Sequence, residues 1–147
     1  MALEFGQNDP KRDLIKFLQR LVVAKEPGHS SVIQCAAARI VSALLSDFPS
    51  NEAHTEDAMI MVKHLIQISL KSSAALSDYI IAVCLAQLLL IPNLPNYFLS
   101  LDGMMILRDI VDRNSKDLQV TYYAFLALWE LSFEEPFKKH ATDPRVC

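Results

Sequence analysis

Three apolar stretches of this chain can be laid over one another: "AARIVSALLSDF" from residue 37, "IAVCLAQLLLIP" from 81 and "YAFLALWELSFE" from 123. Alanine coincides at 38, 82 and 124, with spacings of 44 and then 42 residues. Each stretch carries apolar residues at helical rather than alternating spacing. A chain that repeats an apolar helix at this interval is read as a stack, in which every unit buries its helix against its neighbours. Small residues at the shared position let the backbones approach closely.

Between the three stretches the same parts recur: a polar loop, an amphipathic helix, a turn, and the next buried helix. This predicts an all-α fold, an armadillo/HEAT-like superhelix of helical repeats, for which periods of ~40 to 47 residues are usual. An ordinary helical bundle is the alternative. The approximate units are 9–48, 55–92 and 95–133, with the start of a further unit at 134–143, in one domain over 1–147. Only three glycines leave little material for hairpins or phosphate-cradling loops.

Asp9 and Pro10 start a first helix with a stripe of Leu14, Phe17, Leu18, Leu21 and Val22. A second helix puts Ile33, Ala37, Ile40, Val41 and Leu44 on one face and stops at Pro49. The third, about 55–71, keeps Lys63, His64, Gln67 and Lys71 on its polar side. The fourth, about 76–91, is apolar nearly all round and belongs between other helices. A short segment over 97–101 is followed by a turn at Asp102 and Gly103 and a helix in which Arg108 to Asp112 and Asp109 to Arg113 form exposed pairs four apart. "NSKD" at 114–117 restarts the chain into its third apolar stretch, where Trp129 is expected in the core, and "EEPFKKHA" reads as a last short helix.

The net charge of −3, with basic residues spread along amphipathic stretches, does not imply nucleic acid. The apolar run at 79–91 falls short of the ~20 residues a bilayer demands. Cys35, Cys84 and Cys147 make an odd set with no CxxC spacing, and two of them lie inside apolar runs, as reduced core cysteines of a cytosolic protein would. His29, His54, His64 and His140 show no ligand spacing, and no nucleophile or phosphate motif is present. No catalytic residue, metal or cofactor is assigned.

Glu130 stands where peptide-binding armadillo proteins carry an asparagine, and Leu44 and Leu88 occupy that place in the earlier units. An ionised carboxylate only accepts hydrogen bonds, so no asparagine ladder is offered to a peptide. Glu130 is expected at a groove edge, in water. With Glu134 and Glu135, which complement the dipole of a following helix, it forms a candidate interaction surface.

"AAARIVSALL", "FLSLDGMMIL" and "LQVTYYAFLALWELSFEEP" resemble, in the same order, the middle to end of the N-terminal armadillo domain in the H subunit family of the vacuolar proton-pumping ATPase. That family's pattern looks like "AARI", an aromatic followed by "ADG", and "LQYQ" leading into "WLLSF". Here Leu101 stands before the Asp-Gly pair and Glu130 replaces the leucine after tryptophan. The resemblance covers roughly 30–140 and reads the chain as a fragment or short homologue. It implies a non-catalytic regulatory role in the peripheral sector of the pump, at the cytosolic face of endomembranes, with binding to the peripheral stalk. A generic armadillo adaptor that holds a peptide or helix in its groove is the competing reading.

Overall fold

The computed structural model describes residues 10–23, 31–47, 52–70 and 77–134. They form seven helices: α1 (Pro10–Val23), α2 (Ser31–Asp47), α3 (Glu52–Leu70), α4 (Asp78–Leu88), α5 (Leu94–Ser100), α6 (Gly103–Arg113) and α7 (Leu118–Leu131). No strand occurs among the described residues. The architecture is all-α and armadillo/HEAT-like.

The three inner helices α2, α4 and α7 stack side by side, and the α4–α7 pair is the most extensive contact of the molecule. Their aligned alanines, Ala38, Ala82 and Ala124, are each 0% exposed. One turn on, Val41, Leu85 and Ala127 are also fully buried, and Leu45, Leu89 and Leu131 close the layer. A methyl-sized side chain at the shared position brings neighbouring axes close enough for the larger residues on either side to interlock. As its all-round apolar sequence predicts, α4 lies between the others, with Ile81 to Ala86 buried without a break.

Local signals account for several boundaries. Ser77 caps α4 by accepting from the Ile80 amide, and Asp117 caps α7 by accepting from Gln119 and Val120. Asp102 takes the left-handed conformation at φ 60°, which a short polar side chain tolerates. Gly103 then opens α6 directly beneath the buried Phe98 ring, where an added Cβ would overlap ring carbons. The short segment starts earlier than its sequence suggested, at Leu94, because Pro95 fits a first turn whose amides need no partner.

Other expectations are corrected. On α1 the buried line is Ile15, Leu18, Gln19 and Val22, while Leu14 and Phe17 are exposed. Gln19 belongs inside because its Nε2 donates to the Asp57 carbonyl on α3 at 2.9 Å. On α2, Ile33 and Ile40 are exposed and Ala38 and Leu45 are buried. The intrahelical pairs expected on α6 do not form as such. Arg108 lies 3.6 Å from Asp109, and Arg113 reaches across to Asp78 on α4. A bidentate grip on a carboxylate outweighs an exposed pair worth a few tenths of a kcal/mol.

Candidate interaction surface

The helix α7 is apolar over most of its circumference, so its sequence marks no clear outer face. The structure buries Val120, Ala124, Ala127 and Leu131 and turns the opposite side outward. That outward side carries Leu118, Tyr122, Phe125, Trp129 and Phe133, all exposed. Their spacing of four, three, four and four residues makes one continuous ridge along the helix. Trp129, expected in the core, is 62% exposed and packs edge-on against Phe133, ring centroids 5.5 Å apart.

Beside the ridge runs a cleft of about 460 Å³ between α6 and α7. Met104, Met105, Val111, Phe125 and Leu128 line it, with Asp102, Arg108 and Asp112 at its rim. Flexible thioethers beside exposed aromatics make an adaptable apolar wall. Contiguous apolar surface of this kind marks a docking face in a folded protein.

Glu130 lies on a different side of α7. Tyr123, seven residues earlier and so on the same face, stacks edge-on against Tyr79 of α4 at 5.8 Å. This places Glu130 on the flank turned toward α4, in the register where Leu88 is fully buried. Its carboxyl is half-buried, and Oε2 is shielded from solvent with no hydrogen-bond partner. Burial pushes its pKa up to about 7. The expectation of a carboxylate in open water is therefore corrected. Glu134 is partly exposed beyond the end of α7, and Glu135 lies outside the described residues.

His64, expected to be solvated, is also half-buried, with an unpartnered Nδ1. Desolvation and then the neighbouring Lys63 lower its pKa. Burial pushes the Cys84 thiol up to about 11, far from a reactive thiolate. The side chains of His29, His54, His140 and Cys147, and the last predicted helix, lie outside the described residues. Among the described residues no three His, Cys, Asp or Glu come together as metal ligands, and no helix is long and apolar enough to cross a membrane.

The family model for the H subunit of the V-ATPase matches residues 3–146. The chain belongs to the V-ATPase H subunit family. The match is to the family's N-terminal domain, and the stacked helices α2, α4 and α7 are the repeat scaffold of this V-ATPase domain. Comparison with curated proteins and with solved structures gave no match. The aromatic ridge of this V-ATPase domain is not among the surfaces suggested by the sequence, which expects Trp129 in the core. Leu118, Tyr122, Phe125 and Trp129 share the side of α7 opposite Ala124 and Ala127, and apolarity alone does not distinguish the two sides.

Proposed function

We propose that this chain serves as a non-catalytic, regulatory domain in the peripheral sector of a vacuolar-type proton-pumping ATPase. It acts through protein–protein contacts that support the coupling of ATP hydrolysis to proton transport. Its first partner is the peripheral stalk, at the cytosolic face of endomembranes. This role assigns no catalytic residue and needs no cofactor.

The observation that carries this reading is the family match across nearly the whole chain, falling on a helical-repeat scaffold. Exposed repeat surfaces suit docking rather than turnover. The acidic edge of Glu130, Glu134 and Glu135 is the proposed polar rim of the stalk contact, with Glu130 and Glu134 both partly exposed.

A pull-down from lysate with the tagged chain tests the proposal. Recovery of stalk or other pump subunits, weakened by Glu134→Lys, is the expected result. Retention of unrelated proteins with no pump component among them would leave the fold standing and overturn the function.

A further inference from the structure

Among the described residues, two buried acceptor atoms without a hydrogen-bond partner lie on the seam between α4 and α7, Gln87 Oε1 and Glu130 Oε2. The register brings them to one level. Asp78 at the start of α4 accepts from Asn114, whose carbonyl accepts from the Thr121 hydroxyl of α7, so the two helices begin side by side. Their extensive contact means that they also run in the same direction. Tyr79 meets Tyr123, and two turns further along stand Ala86 with its neighbour Gln87 on α4, and Glu130 on α7. Both helices end just beyond this level, at Leu88 and Leu131.

No cation answers these acceptors. Neither helix carries a basic residue in its last turn, so the partial negative charge of two adjoining C-termini goes without a complement. The other polar side chains of the seam, Tyr79 and Tyr123, bring no positive charge, and Glu134 one turn on is a further acid. Desolvation is the one cause of the raised Glu130 pKa, as expected where no charged group acts on the carboxyl. Two shielded oxygens without a donor suit a compact cation with several donors. A lysine ammonium has that form, whereas a guanidinium fork matches a carboxylate that offers both oxygens, and here only Oε2 is shielded.

We propose that the end of the α4–α7 seam is a receptor for a lysine side chain of the peripheral stalk, whose ammonium donates to Gln87 Oε1 and Glu130 Oε2 together. This rests on the stalk binding proposed above, and within that contact it makes Glu130 the anchor. Seating the ammonium displaces a proton. The free chain holds Glu130 half protonated at about pH 7, and an adjoining cation holds it ionised. Docking therefore releases about half a proton at pH 7 and tightens about tenfold between pH 6 and pH 8.

Calorimetric titration of the full chain into the isolated stalk heterodimer, at about pH 6, 7 and 8, tests this. Phosphate and Tris differ in ionisation heat, so runs in both buffers count the protons exchanged. Wild type should show the tightening and the released half proton. Glu130→Gln keeps the size of the side chain and loses its charge, so it should bind about tenfold more weakly at pH 8 and release correspondingly fewer protons at pH 7. Equal affinities and equal proton counts for the two chains would overturn the lysine receptor and leave stalk binding standing. A folded wild-type chain that does not bind the stalk at all would overturn both.

Discussion

Arg113 at the end of α6 grips Asp78 at the start of α4 with both arms, Nε and Nη2 each donating to a separate carboxylate oxygen at 3.0 Å. Asn114 adds a third donor at 2.7 Å and also ties itself to the Ile110 carbonyl. An acid at a helix start and a base at a helix end both suit their local dipoles. The Arg113 hydrogen bonds hold the Asp78 carboxyl below its usual value, with Asn114 helping and burial opposing.

Asp78→Ala should therefore cost about 1–2 kcal/mol, since it strands two donor groups, and Arg113→Ala about 0.5–1 kcal/mol, because the pair is half in water. The Asp78 contribution is complete above the ordinary carboxylate pKa and is lost as pH falls through the lowered one. Urea unfolding at neutral pH and at about pH 3, on wild type and both variants, checks the order and the narrowing of the differences in acid.

Trp129→Ala should change stability by no more than about 0.5 kcal/mol, as surface substitutions do. A tryptophan in the core would cost about 3–5 kcal/mol. Wild-type emission should be red-shifted and readily quenched by iodide. A blue-shifted, protected emission would place Trp129 inside after all.

Glu130 interrupts a register that is otherwise leucine, with Leu88 fully buried at its counterpart. Its pKa rises from 4.5 to about 7 through desolvation alone. A carboxyl raised in this way penalises the fold only when ionised. The penalty is absent below the unfolded value, grows between about 4.5 and 7, and is complete above. Discounted for its solvent-facing half, it amounts to about 1–2 kcal/mol. Glu130→Leu should thus raise the melting temperature at about pH 8 and bring little gain at about pH 5. An equal gain at both values would assign the effect to packing rather than to charge.

Gly103→Ala drives a methyl group into the Phe98 ring, which is itself fully buried. A loss of about 1–3 kcal/mol is expected. The double variant with Phe98→Leu should lose less than the two single losses together, because the smaller side chain vacates the clash. Strict additivity in chemical denaturation would contradict the close approach.

The fold was legible where local chemistry and periodicity agreed. The aligned alanines 38, 82 and 124 announce a common depth in the stack, Asp117 announces a helix start, and Asp102 with Gly103 announces a turn. Orientation was not legible for helices without a polar face. On α7 nothing in the sequence tells Trp129 from Leu131, and only the neighbours α4 and α6 decide which is inside. On α1 the polar Gln19 is buried because its partner, the Asp57 carbonyl, lies 38 residues away. Arg113 likewise leaves its helix for Asp78 because the tertiary site offers both carboxylate oxygens to one guanidinium.

The candidate surface followed the same division. Glu130 stood out in the sequence as a break in the leucine register, and it is a desolvated position rather than a solvated one. The aromatic ridge went unnoticed because hydrophobicity alone does not separate a core from a docking face.

Titration of the purified chain into the isolated peripheral stalk heterodimer, followed by calorimetry, tests the central claim most directly. Membership of the pump's peripheral sector predicts saturable binding that is weakened by Glu134→Lys. Absence of heat and of co-elution, with a folded chain and an intact stalk, would contradict it.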